Sequence, residues 1–340
     1  MNFAELKALL ATVFLSNGCS EYTAEILAHN CACAERDGST SHGTFRMPGY
    51  VSSLNGGWVD GRAQPVIEDC GGALIRVDAQ NGFAVVAHAD VQPLAVERAK
   101  ELGVAIIAIR NSHHLGALYL DVEPYAEQGL LALSVVNSMA VVTHPGGRQP
   151  VYGTNPIAFA TPRSEEPPFL FDMATSSMAH GDLSVLARDG RSAPPGAGVD
   201  QFGKMSTDPS AILNGGALLP FGGHKGAALS IMCEILCAAL TGGQFSSECD
   251  LAKQPGAHTP RTGQTVIVVD PRYGAGNLPP TAQRVQQLIE TIRNSGVERL
   301  PGERRFAFRT EAADVGIPIS VTLKQSLIAM ISPDQATMNA

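Results

Sequence analysis

"VAIIAIRNSHHLGALY", residues 104–119, sets the grammar of this chain. The run 104–110, dominated by Ile, Val and Ala, has the length and composition of a buried strand. Residues 111–116 then turn polar, carry two adjacent histidines and close on a glycine, and apolar spacing of helical period follows over 117–128. A strand that empties into a polar turn and a helix is the repeating step of an α/β fold, and in an open sheet that turn is where ligands bind.

The same grammar extends outward. Strands are expected at 73–78, 130–136, 156–162, 169–173 and 265–270, with helices at 91–102, 117–128, 176–188 and 225–240. The chain ends read differently. A helix over 3–16 is stopped by Asn17-Gly18, a second is capped by Ser20 and runs to Arg36 before Gly38, and "PTAQRVQQLIETIRNSG" (280–296) and "SVTLKQSLIAM" (320–330) are again helical. The expected fold class is therefore α/β (α+β), with a helical domain from both ends (1–70 and 280–335) and a mixed α/β domain between them (71–279). No Gly-x-Gly-x-x-Gly follows an early strand, and "PPGAGVD" and "YGAGNLP" both miss that pattern, so a Rossmann domain is not expected.

With 340 residues, 44% of them hydrophobic, the chain can bury cores for two domains. Its net charge of −8, without basic runs, argues against a nucleic-acid partner. The N-terminus lacks the pattern of an export signal, and no apolar run is long enough to span a membrane. Seven cysteines, an odd number, then fit reduced thiols in the cytoplasm. Cys31 with Cys33 and Cys233 with Cys237 have no matching pair at zinc spacing, and His113 and His114 point different ways, so no metal is expected.

Four stretches carry residues suited to chemistry. In "RDGSTSHGTFRMPGY" (36–50), His42 can exchange a proton near neutral pH, Ser41 can relay it, and Arg46 offers a planar fork to a carboxylate. The residues alone also allow a turn in which Ser41 and His42 satisfy backbone groups and Arg46 is a surface side chain. "FGGHKGAALSIMCEILCAAL" (221–240) opens a helix that is apolar all round and therefore expected to be buried. Its N-terminus, with His224 and Lys225, suits a phosphate, although its glycines also suit close helix packing. The third stretch is the 111–119 turn, and the fourth is "DMATSSMAHGD" (172–182), where Thr175 or Ser176 is equally suited to cap a helix.

Taken in order, "SHGTFRMPGY", "NSHHLGALY", "YGTNPIAFATP", "DMATSSMAHGD", "PFGGHKGAALS" and "RLPGERR" resemble the malate/L-lactate dehydrogenase family, which binds its nicotinamide on a non-Rossmann fold. The resemblance implies a homodimer with its active site near the subunit interface. It implies Ser41 and His42 as the proton-handling pair, Arg46 on the substrate carboxylate, and Thr154, His180 and Gly181 facing the substrate. On the cofactor side it implies His113, His114, Leu115, Gly116 and Ala117; Asp172, Met173 and Ala174; His224, Lys225 and Gly226; and Gly302, Glu303, Arg304 and Arg305. Hydroxy-acid dehydrogenases of the family show a lysine where this chain has Asp182. A carboxylate there favours a cationic substrate, and a cyclic imine must be protonated to accept hydride, so the chain resembles the branch that reduces cyclic imino acids. Asp182 is thus expected in the catalytic set, unless it caps or pairs elsewhere. Arg304 and Arg305 suit a 2′-phosphate and hence NADPH. The alternative is an NAD(P)-dependent 2-hydroxy-acid dehydrogenase of malate, lactate or ureidoglycolate type.

Overall fold

The computed structural model describes residues 1–331. Three helices come first. Helix α1 (Phe3–Ser16) is capped by Asn2, which accepts from Glu5 N while the Glu5 carboxylate accepts from Asn2 N. Helix α2 (Glu21–Arg36) is capped by Ser20 as expected, and α3 (Met47–Asn55) lies in a stretch that sequence reading left irregular. Leu6, Leu10 and Phe14 of α1 meet Leu27 and Cys31 of α2 and Tyr50 of α3 in one buried cluster, which Ile317 and Leu327 from the far end of the chain complete.

Chain order continues with β1 (Val66–Asp69), β2 (Leu74–Asp78), α4 (Ala84–Leu102), β3 (Val104–His113), α5 (Tyr119–Glu127) and β4 (Leu131–Val136). Next come β5 (Val142–Thr143), β6 (Pro150–Tyr152), β7 (Ile157–Thr161), β8 (Phe169–Met173), α6 (His180–Arg188), β9 (Gly198–Val199) and β10 (Met205–Ser206). The chain then forms α7 (Pro209–Leu213), β11 (Ala217–Leu218), α8 (His224–Glu234), β12 (Arg261–Val269), α9 (Arg272–Ala275), α10 (Thr281–Asn294), α11 (Glu303–Val315) and α12 (Val321–Ala329).

A seven-stranded mixed sheet runs β1-β2-β3-β12-β4-β7-β8, with β2 and β3 parallel and the other pairs antiparallel. All six expected strands are in it. Ile75, Ile107, Ile109, Val266 and Val268 bury one face under α4 and α5 in a second cluster. A smaller five-stranded sheet, β10-β9-β11-β5-β6, encloses a third cluster around Val142, Leu183 and Leu218.

Three expectations need correction. Helix α4 begins at Ala84 rather than 91, and α6 begins at His180 rather than 176, because Thr175 to Ser177 are held by backbone bonds to Thr154, Leu219 and Phe221. The helix over 225–240 is not buried all round. Cys233 and Cys237 face the sheet, but Ile231, Ile235 and Leu240 are 39%, 52% and 47% exposed. Apolar residues on every side show what a helix tolerates, not what covers it. The expected helical segment to 335 ends, from 332, outside the described residues.

Candidate active site

Helix α2 ends at Arg36 with Asp37 as its C-cap, and the chain then makes two short 3₁₀ turns, Thr40–His42 and Thr44–Arg46. Buried Glu35 fixes them by accepting from the N–H and hydroxyl of Thr44, both at 2.8 Å. A β-carbon on Gly43 would collide with that carboxylate, so glycine is required by close approach. The two turns aim Ser41, His42 and Arg46 into a cleft of about 440 Å³. Gly116, Thr154, Asp172, Met173 and Ala174 line its sheet side, and Gly181, Asp182, Arg304 and Arg305 line its helix side. Residues spread over some 260 positions thus meet in one place.

His42 Nδ1 donates to the Leu115 carbonyl at 3.0 Å. A carbonyl can only accept, so Nδ1 carries the proton and Nε2 keeps the lone pair. Burial, reinforced by the nearby Arg46 charge and partly opposed by the Leu115 carbonyl and Asp172, pushes the His42 pKa down to about 4. Near pH 7 the ring is neutral.

Arg46 has no partner for its Nε, which is fully buried. Its guanidinium lies beside the Phe45 ring at 5.5 Å, and a β-carbon on Gly181 would stand 3.9 Å from Nη2. Burial lowers its pKa, while the negative charge of Asp182 acts in the opposite sense. A guanidinium in the cleft whose buried Nε has no protein partner fits a carboxylate. His180, half-buried at the start of α6, is shifted down by burial and then by the Arg46 charge.

On the other side, Asp172 accepts from Tyr119 N at 3.2 Å and pairs with Arg305, whose guanidinium stacks over the Tyr119 ring at 4.4 Å. Exposed Arg304 lines both the cleft and an adjoining cavity of about 330 Å³ that Arg299 and Gly302 share. Gly302, at φ +85°, sits where a side chain would collide with the Leu170 carbonyl. At the start of α8, Gly222 and Gly223 have φ of +56° and +62° and open space beside them, and His224 and Lys225 are exposed. A helix N-terminus with an exposed lysine, and exposed Arg299 and Arg304 apart from it, fit the phosphates of a dinucleotide.

Some expected residues lie elsewhere. His113 is 1% exposed, with Nδ1 against Thr259 Oγ1 (2.9 Å) and Nε2 against Asn81 Oδ1 (3.1 Å), so both ring nitrogens are engaged behind the cleft. His114 faces buried Asp121 at 3.3 Å, and Ala117 is in the sheet-side core. Leu115 contributes its carbonyl, Gly226 packs against Phe221 and Thr175, and Glu303 pairs with Arg293. Sequence reading missed Arg309, which bonds Asp37 (2.5 Å) and Glu123 (2.8 Å), while Asp37 also accepts from Tyr119 OH at 2.8 Å. This network braces the ring on which Arg305 lies. The available signal was spacing, since Arg305 and Arg309 share one face of a helix.

Burial is the leading cause of lowered pKa values at His29, His42, His88, His113 and His180, with His113 also near 4. Below about pH 6.5 the unfolded chain therefore binds protons that these folded-state rings take up only at lower pH, near 4 for His42 and His113, so stability falls as pH falls through that window. The melting temperature is expected to drop steadily from about pH 6.5 to 4.5; a flat profile there would contradict these shifts.

The malate/L-lactate dehydrogenase family model matches residues 1–328. A Δ1-pyrroline-2-carboxylate/Δ1-piperideine-2-carboxylate reductase of Pseudomonas putida is 54% identical over 325 residues, 96% of this chain and 95% of that protein. The crystal structure of the Δ1-piperideine-2-carboxylate reductase of Pseudomonas syringae pvar. tomato superposes with a TM-score of 0.95 at 54% identity, covering 97% of this chain and 99% of that one. A (2R)-3-sulfolactate dehydrogenase (NADP(+)) of Chromohalobacter salexigens is 35% identical over 92% of this chain and 93% of its own. With a full-length family match, relatives of this identity and the same fold, the chain belongs to the malate/L-lactate dehydrogenase family.

Proposed function

We propose that the protein reduces Δ1-piperideine-2-carboxylate and Δ1-pyrroline-2-carboxylate to L-pipecolate and L-proline with NADPH. The names of the relatives at 54% identity support the substrates. The observation that carries the reading is in the cleft itself: a half-buried Arg46 whose buried Nε has no partner, with the Asp182 carboxylate and a neutral His42 around it.

Arg46 holds the substrate carboxylate through its free fork. Asp182 faces the protonated ring nitrogen and keeps it charged, while His42 Nε2 accepts from that N–H and Ser41 orients the pair. Thr154, His180 and Gly181 close the substrate side. NADPH, when bound, supplies the hydride that adds to C2. Its phosphates would be held by the start of α8 and by Arg304 and Arg305, with Arg304 placed for the 2′-phosphate. A 2-oxo acid needs a proton delivered to its carbonyl oxygen, and a neutral ring with its lone pair at Nε2 has none to give there. The 35% identical sulfolactate dehydrogenase keeps a 2-hydroxy-acid dehydrogenase as the second reading.

The homodimer belongs to the same proposal, supported by the exposed Ile231, Ile235 and Leu240 along one helix. So does the division into a helical unit (1–70 and 280–335) and an α/β unit (71–279), supported by the separate buried clusters. A cytoplasmic setting agrees with seven unpaired cysteines. Among the described residues no helix is long and apolar enough to cross a membrane.

The test is oxidation of NADPH, and separately NADH, by the purified protein with each cyclic imine beside pyruvate, oxaloacetate and 2-oxoglutarate. Fast turnover of the imines alone is expected. Preference for a 2-oxo acid would replace this reading with the second.

A further inference from the structure

Glu234 ends the α-helical part of α8, is 6% exposed, and has a carboxylate that none of the steps above uses. Oε1 accepts from Asn155 Nδ2 (2.8 Å) and Ser246 Oγ (2.5 Å). Oε2 accepts from Asn137 Nδ2 (3.3 Å) and Ser246 N (3.0 Å). None of the four donors belongs to a lysine or an arginine. A carboxylate satisfies all four donors, whereas an amide would turn an NH₂ toward two of them. A dry charge held without a cation is costly to keep, so its placement calls for a reason.

The reason lies in what its partners hold. Asn155 is fully buried at φ +39°, in the left-handed region, and spends its amide N–H₂ on two points of α8, Glu234 and the Ser230 carbonyl (3.2 Å). One residue earlier, Thr154 lines the cleft, and its carbonyl accepts from Thr175 N (2.9 Å) and Thr175 Oγ1 (3.1 Å). Ser230 Oγ returns to Thr175 Oγ1 at 2.9 Å, and in the first turn of α8 a β-carbon on Gly226 would stand 3.0 Å from the Thr175 carbonyl. Helix α8 is therefore a bar that meets the Thr154–Thr175 pair along its length, with its free N-terminus at one end and Glu234 at the other. Directly after Glu234 the helix widens into a π-turn, Ile235–Ala239, a feature that recurs next to functional sites.

We propose that Glu234 is a positioning residue that clamps the Thr154–Asn155 turn to α8, and so sets the substrate wall of the cleft in register with the helix whose N-terminus faces the cofactor. This rests on the reading above that Thr154 faces substrate and the start of α8 faces phosphate.

The test is Glu234→Gln in the full chain, with kcat, KM, NADPH affinity by fluorescence titration, and melting temperature. A small displacement of a substrate wall is felt in the chemical step, so kcat is expected to fall by about 10- to 100-fold, with NADPH affinity within about threefold of wild type. Because the effect runs through Thr154, adding Glu234→Gln to Thr154→Ala is expected to cost less than about threefold more. Two results overturn the proposal: a lowered melting temperature with kcat per folded molecule within about twofold of wild type, or a fully multiplicative loss in the double variant. If Glu234→Gln does not fold, Asn155→Gly keeps the left-handed backbone accessible and removes only the side-chain link. It should show the same loss of kcat, and a wild-type kcat would refute the clamp. The assay uses whichever substrate the unaltered protein reduces fastest, so the substrate is decided on wild type and the clamp on the variants.

Discussion

Lysine in place of Asp182 is expected to lower kcat/KM for Δ1-piperideine-2-carboxylate by about 10³-fold, because the change turns an attractive charge into a repulsive one beside a cation. At an effective dielectric near 20, one unit-charge interaction at about 4 Å is worth roughly 4 kcal/mol, which is enough for that factor before reversal is counted. Asp182 sits in the first turn of α6, where the helix N-terminus favours a carboxylate and disfavours an ammonium. The residue also lies close enough to Arg46 for its charge to act on the guanidinium. NADPH affinity is expected to hold within a few-fold. Steady-state kinetics on the imine and on a 2-oxo acid, side by side, measure the effect; an unchanged imine rate would remove Asp182 from substrate recognition.

Removal of the His42 ring by His42→Ala should cost about 10²- to 10³-fold in kcat, with a smaller change in KM, as is usual when a positioned proton-handling group is lost. The wild-type pH profile provides the companion measurement. Since the ring takes up a proton only near pH 4, kcat/KM should show no acid limb at the ordinary histidine range and should decline only as pH approaches that value. A decline above about pH 6.5 that disappears in His42→Ala would mean that the ring must be charged in the working enzyme, and the lone pair at Nε2 would lose its assigned part.

How much of this could be read without coordinates depended on how local each signal was. The strand–turn–helix at 104–119 was legible because burial on both faces of β3 demands an unbroken apolar run. The small sheet was not, since strands of two or three residues such as Val142–Thr143 and Gly198–Val199 are too short for alternation to register. Helix α11 escaped for a different reason: none of its residues is fully buried, so no apolar stripe marks it. At the site, the loop holding Ser41, His42 and Arg46 was legible from residue types, whereas roles rested on the family resemblance. His113 shows the limit of that route, because its motif lies beside the cleft while its ring is locked behind it. The Glu234–Asn155 link spans 79 positions and involves residue types that are ordinary on any surface, so nothing in the linear order announces it.

The unpartnered Nε of Arg46 also bears on the protein's economy as a folded object. A buried Nε with no protein partner costs stability that a bound carboxylate can return. The ground state is therefore less stable than its own sequence neighbourhood permits, and the deficit is the source of part of the affinity. Arg46→Met should make the empty protein melt higher than wild type, while a simple carboxylate ligand that raises the wild-type melting temperature should leave the variant unmoved. Selection for a robust fold and selection for a hungry site pull this one position in opposite directions, and the arginine records which of the two prevailed.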